Sequence, residues 1–259
     1  MGIVPVWVVV FAVAGLFLGR LAAVAADRIP AHEAMFRGWN RCPDCGTSSG
    51  VLGSIPVAGY FMRRGGCDDC GRRTSLRYPL SEAACGLLFG LAAWKFGFRL
   101  EAAVYAAFFW VLLVLSLIDL EHRLLPDRIV FPSMVVGAGG LIVGALLRGY
   151  PEALVHAALG AAIFGGFLFV VAFIHPAGMG GGDVKLSFLL GMFLGYLDGW
   201  GVVMVGMFLS FVLGGVIGIV VMVVTGGGRK MQVPFGPFLA LGTTIAVFVG
   251  RAILAGYLG

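Results

Sequence analysis

The chain has 259 residues, of which 60% are hydrophobic and only 12% charged, and its mean hydropathy is +1.00. That composition excludes an ordinary soluble domain and marks an integral membrane protein. The formal charge of +5 gives no reason to invoke a nucleic-acid partner, because the basic residues are spread over several loops rather than gathered in one stripe.

A bilayer core takes about 20 apolar residues in helical form. Eight runs qualify, at about residues 3–25, 79–98, 102–118, 129–147, 153–174, 184–198, 201–224 and 235–258. Strands of a membrane β-barrel would be about ten residues long with alternating polarity, so the runs predict an all-α polytopic fold of about eight transmembrane helices. The first run lacks a basic segment ahead of it, carries Arg20 behind its apolar part and shows no small-x-small cleavage site, so it is read as a retained helix rather than a signal peptide. The 42 glycines suit closely packed helices.

Lys and Arg set the orientation. With the N-terminus outside, the inner side holds the eight basic residues of segment 26–78 together with Arg20, Arg123, Arg128, Lys185, Arg229 and Lys230, which is 14 of the 18. Only Lys95, Arg99, Arg148 and Arg251 fall outside, as expected for eight spans with both ends outside. The predicted organisation is a first helix (1–25), a cytosolic loop domain (26–78) and a seven-helix membrane domain (79–259).

The loop contains "CPDC" (Cys42, Cys45) and "CDDC" (Cys67, Cys70), with 21 residues between the pairs and a glycine, Gly46 or Gly71, after each second Cys. Two such pairs on tight turns can bring four thiolates to the corners of a tetrahedron, a zinc-ribbon pattern. Disulfides are the alternative, but a cytosolic loop sits in reducing surroundings. Four sulfur ligands leave no open position, so the predicted zinc is structural and organises a loop too short for its own core. Cys85, inside the second span, reads as a small packing residue.

The third span ends in "SLIDLEHRLLPD", which puts Asp119 at its inner end, and the sixth begins at "GMGGGDVKL", which puts Asp183 at the same level on another helix. An ionisable group near hydrocarbon costs several kcal/mol unless it is paired or lines a wet cavity, so two at one depth predict a shared site. Two carboxyls that approach closely do not both ionise, so one keeps a proton while the other acts as base, the chemistry of an aspartic protease dyad. Gly178, Gly180, Gly181 and Gly182 are expected to leave room beside the acid for an extended substrate backbone. The plainer reading makes Asp183 a helix cap and Asp119 a boundary residue.

Glu121, His122 and Asp127 are expected on a solvated interfacial turn, His156 as a packed or hydrogen-bonded imidazole, and Asp198 on the far side, away from the dyad. Glu82, just inside the second span, is a candidate polar contact of the site. A rival reading uses Asp119 and Asp183 as the relay groups of a proton-coupled transporter, but no second glycine break or internal repetition accompanies them. A second rival is a membrane scaffold whose zinc loop binds a partner.

"IDLEHRLLPD" (118–127), "GMGGGDVKL" (178–186), the two Cys-x-x-Cys pairs, "RYPLSE" (77–82) and "VPFGPFLALG" (233–242) together resemble the bacterial prepilin peptidase family, intramembrane aspartyl proteases of the Gly-x-Gly-Asp type. The resemblance implies that Asp119 and Asp183 are the catalytic acids, with Gly180, Gly181 and Gly182 as the Gly-x-Gly and Lys185 of the same motif as a supporting residue. It also implies cleavage of the basic leader of type IV prepilins and pseudopilins at the cytosolic face of the bacterial inner membrane. Methylation of the new amino terminus with S-adenosylmethionine would follow. A basic leader ahead of an apolar helix is held at that face by anionic lipid and the cytosolic potential.

Overall fold

A computed structural model describes residues 4–31, 45–47, 55–67, 69–175, 179–225 and 234–258. The described residues form helices α1 (Val6–Arg28), α2 (Ala58–Met62), α3 (Arg77–Phe96), α4 (Leu100–His122), α5 (Asp127–Arg148), α6 (Glu152–Ile174), α7 (Gly181–Asp198), α8 (Trp200–Thr225) and α9 (Gly236–Leu258). Among the described residues the regular structure is helical apart from one isolated antiparallel bridge between Gly66 and Arg73. The chain divides into two compact units, residues 1–114 and 115–259, with the boundary inside α4. Among the described residues six helices are long and apolar enough to cross a membrane: α1, α4, α5, α6, α8 and α9.

The other two long helices, α3 and α7, are the shortest of the long ones, at 20 and 18 residues. Arg77, Glu82 and Lys95 lie on α3, and Asp183, Lys185 and Asp198 on α7. Polarity on α7 is tolerated because the helix is enclosed: eleven of its 18 residues are buried, and α5, α6, α8 and α9 all touch it.

In the first unit, α1 packs on α3 through Gly15 and Gly19, one turn apart on a single face. A Cβ at Gly15 would stand 2.6 Å from the Cys85 carbonyl oxygen, and one at Gly19 would strike the Ser81 carbonyl. Small residues at such a seam let two backbones approach in a medium where apolar side chains gain little by leaving lipid. Cys85 is buried in the seam, as its expected packing role requires. Near the end of α1, Asp27 accepts from Arg77 Nη1 at 3.1 Å and from the Tyr78 hydroxyl at 3.2 Å. The Trp110 indole donates to the Leu18 carbonyl at 2.9 Å.

In the second unit the same device is used more heavily. A Cβ at Gly160 of α6 would meet the Gly191 carbonyl of α7, one at Gly191 would meet the Gly160 carbonyl, and one at Gly195 would meet the His156 carbonyl. On the next pair, a Cβ at Gly242 of α9 would run into the backbone and hydroxyl of Ser210 on α8. From α5, Gly137 leaves room for the Phe193 ring of α7. Gly160→Ala is therefore expected to lower the melting temperature of the detergent-purified protein, with an overpacking cost of about 1–3 kcal/mol. Gly166→Ala, on the same helix with open space beside it, should leave the melting curve in place.

Candidate active site and metal centre

Asp119 lies in the last turns of α4 and is only 5% exposed. The backbone N–H of Gly236, the first residue of α9, donates to its Oδ2 at 2.9 Å. The first four N–H groups of a helix have no partner within it, and they carry the positive end of the helix dipole, which suits a carboxylate. The local sequence, Pro234-Phe-Gly-Pro237, favours a helix start here, because proline fits the first turn but not the helix interior. Gly236 itself fits because it lacks a side chain: a Cβ would sit 2.6 Å from Asp119 Oδ2.

Asp183 is the third residue of α7 and is 9% exposed. Gly180 is the N-cap in extended conformation, and its carbonyl accepts the Asp183 N–H at 3.1 Å. The Gly180 backbone also hydrogen-bonds the Asp183 carboxylate, the reach-back seen when an acid stands three residues after a cap. The helix-cap reading of Asp183 thus describes part of its surroundings. The boundary-marker reading of Asp119 does not, since that side chain is buried and hydrogen-bonded.

The two acids stand 64 positions apart in the chain, yet Gly182 and Gly236, the residues beside them, close on one and the same leucine. Leu125, from the turn between α4 and α5, joins their surroundings. Its side chain lies 2.9 Å from where a Cβ of Gly182 would be and 3.4 Å from that of Gly236. Space beside Gly182 is therefore filled by Leu125, whereas Gly181 opens on empty space. Gly178 lies outside the described residues.

Lys185 does not point at the acids. Two residues along a helix face opposite ways, and its Nζ bonds both carboxylate oxygens of Asp127 at 2.8 Å and lies 5.5 Å from the centre of the Phe131 ring. It ties the start of α7 to the start of α5. Glu121, His122 and Asp127 are exposed, with His122 Nε2 3.9 Å from Glu121 Oε2. His156 is exposed on α6. Asp198 pairs with Arg251 at 2.9 Å, 15 residues and so about 22 Å along α7 from Asp183. Glu82 is buried in the first unit, where it accepts the Val57 N–H at 2.6 Å and lies 4.0 Å from Arg20 Nη1. Gly236 and Leu125 were not singled out from the sequence. The flanking prolines around Gly236 were the available signal.

In the first unit, the sulfurs of Cys45, Cys67 and Cys70 all lie within 4.8 Å of one another. Cys45 Sγ and Cys67 Sγ are 3.7 Å apart, close to the edge of about 3.8 Å of a tetrahedron whose corners stand about 2.3 Å from a central metal. Gly46 and Gly71 both have φ of +70°, the left-handed turn after each second Cys. The Cys67 N–H donates to the Arg72 carbonyl at 2.8 Å and the Gly71 N–H to the Cys67 carbonyl at 2.9 Å, which closes the knuckle. These donors fit a metal ion. Cys42 lies outside the described residues.

Residues 13–96 match the model of the bacterial peptidase A24 N-terminal domain, and residues 106–219 that of the type IV leader peptidase family. A protein of Stutzerimonas stutzeri named prepilin leader peptidase/N-methyltransferase is 36% identical over 238 residues, covering 89% of this chain and 80% of its own. The chain belongs to the type IV leader peptidase family. Proteins of the same name from Pseudomonas aeruginosa and Bacillus subtilis are 31% and 30% identical, and each comparison covers more than nine-tenths of both chains. No solved structure matches the chain. For this family member, replacing Cys67 with Ser is expected to abolish stoichiometric metal binding, read by elemental analysis of the purified protein. Unchanged metal content would exclude the cluster as the ligand set.

Proposed function

We propose that the chain is a prepilin leader peptidase/N-methyltransferase in which Asp119 and Asp183 form the peptidase dyad. The observation that carries the reading is that both acids are buried, both are hydrogen-bonded to backbone at a helix start, and the glycines beside them pack on the same Leu125. Family membership and the relatives' names, over most of the chain, support the activity. They lend nothing to the transporter or scaffold readings.

In this reading one carboxylate takes a proton from water, and the resulting hydroxide attacks the scissile carbonyl. The protonated partner gives its proton to the developing oxyanion. When the tetrahedral intermediate collapses, a proton passes to the leaving amine, which becomes the amino terminus of the mature protein. No covalent enzyme intermediate is needed. The substrates are type IV prepilins and pseudopilins, whose basic leaders are cut at the cytosolic face of the inner membrane. The proposed topology has α1 and α3 to α9 as eight spans, both termini outside and residues 26–78 as a cytosolic loop. Residues 79–259 form the seven-helix protease domain, with Gly180, Gly181 and Gly182 beside the substrate backbone and Lys185 fixing the head of α7 through Asp127.

The metal at Cys45, Cys67 and Cys70, completed by Cys42, is zinc in a structural role, since four thiolates leave no position for substrate. S-adenosylmethionine is the methyl donor that the relatives' name implies. Among the described residues no strand-turn-helix cradle for a nucleotide is formed. Asp119→Asn and Asp183→Asn should each lower prepilin cleavage in membranes by a factor of about 10² to 10⁴, with unaltered insertion. Leader processing at the parental rate by either variant, followed on gels, would remove the dyad.

A further inference from the structure

We propose that Gly236 is a positioning residue for the peptidase reaction, holding Asp119 as the ionised member of the pair so that Asp119 is the base and Asp183 the proton carrier. This rests on the dyad reading given above. Three features of the head of α9 converge on one carboxylate oxygen. The Gly236 N–H donates to Asp119 Oδ2 at 2.9 Å, and a hydrogen bond to the charged form of an acid favours that form. The donor is the first amide of a 23-residue helix, so the helix dipole adds to it. A Cβ at 236 would lie 2.6 Å from Oδ2 and 3.3 Å from Cγ of Asp119, so glycine is the residue that admits the carboxylate to this place.

The two sides of the pair are unequal. The backbone partner of Asp183 is Gly180, in its own helix turn, so that bond travels with Asp183 wherever α7 goes. Gly236 belongs to a different helix from Asp119 and is 117 residues away, so its bond fixes one helix against another. Asp119 Oδ2 is thus engaged by an amide that can only donate, which leaves Oδ1 to accept the proton of the attacking water. The proton that must be given to the oxyanion then resides on Asp183.

The test uses the full-length enzyme in lipid nanodiscs with a type IV prepilin as probe. Gly236→Ala keeps the amide but displaces the carboxylate, and kcat is expected to fall on the order of 10²-fold, the usual cost of misplacing a catalytic group by about an ångström, with KM little changed. An amide-to-ester exchange at position 236, introduced with glycolic acid in cell-free synthesis, keeps the space but removes the donor. It is expected to lower kcat by about 10-fold, as for loss of a hydrogen bond to a charged group. Gly256→Ala, on the same helix with open space beside it, controls for general effects of the substitution on α9 and should retain kcat within about 2-fold. Parental kcat in both position-236 variants, while Asp119→Asn is inactive, would overturn the positioning role and leave the dyad standing. An equal loss in Gly256→Ala, or a loss seen only in KM, would also overturn it. Activity retained by Asp119→Asn would instead remove the dyad itself.

Discussion

Backbone-to-backbone contact between helices is the constraint on which the surroundings of Asp119 and Asp183 rest. In lipid, apolar side chains gain little by choosing a helix over a fatty tail, so shape decides which helices touch and at what register. Where α6 and α7 cross at Gly160, Gly191 and Gly195, and where α9 meets Ser210 of α8 at Gly242, an added side chain would meet backbone, which cannot yield as a flexible side chain does. Each crossing therefore fixes its helix along its own axis. Asp183 lies eight residues before Gly191, and Gly236 six before Gly242, separations of about 12 Å and 9 Å along a rigid helix. Position set at the crossings is handed on to the helix starts.

Those starts supply the polar partners that lipid withholds. Among the described residues neither acid is paired with a cation: Asp119 takes an amide of α9, Asp183 the backbone of its own cap, and Lys185, the nearest cation in sequence to Asp183, is turned away to Asp127. The choice has a chemical consequence. A guanidinium or ammonium beside a carboxyl holds it ionised by one to three pKa units, whereas a helix start contributes only about half a charge. Partners of that strength keep an acid satisfied without preventing a proton from moving between two of them, which the proposed hydrolysis requires.

The sequence made the acids and the cysteines visible for physical reasons. Charges at the edge of an apolar run are costly, so Asp119 and Asp183 stand out from their neighbours. Cys-x-x-Cys spacing with a following glycine reads directly as a turn, and the φ of +70° at Gly46 and Gly71 is that turn. The α6 and α8 runs were legible to within a few residues, because long apolar runs map onto helices. The start of α7 was harder: the run read as 184–198 begins at Gly181, because glycine in a first helical turn gives up no backbone bond that another residue would have kept. Gly236 was hidden because its contribution is a backbone N–H, which every residue but proline possesses. Leu125 looked like any leucine, and the Asp127 to Lys185 pair spans 58 positions that no local pattern connects.

An acid set against a helix-start amide recurs in the first unit, and the difference there is instructive. Glu82 accepts the N–H of Val57, the N-cap of α2, at 2.6 Å. Val57 holds a φ of +58°, a conformation that costs a β-branched residue about 1–3 kcal/mol and that a hydrogen bond to a charged group, worth about 1.5–3 kcal/mol, can offset. Arg20 completes the neighbourhood at 4.0 Å. Glu82 therefore has a donor and a cation, and its carboxylate is committed to holding α2 against α1 and α3. Asp119 has a donor and, in place of a cation, the other acid. That substitution of a second carboxyl for a positive charge separates an acid that fastens the fold from a pair able to exchange a proton with water.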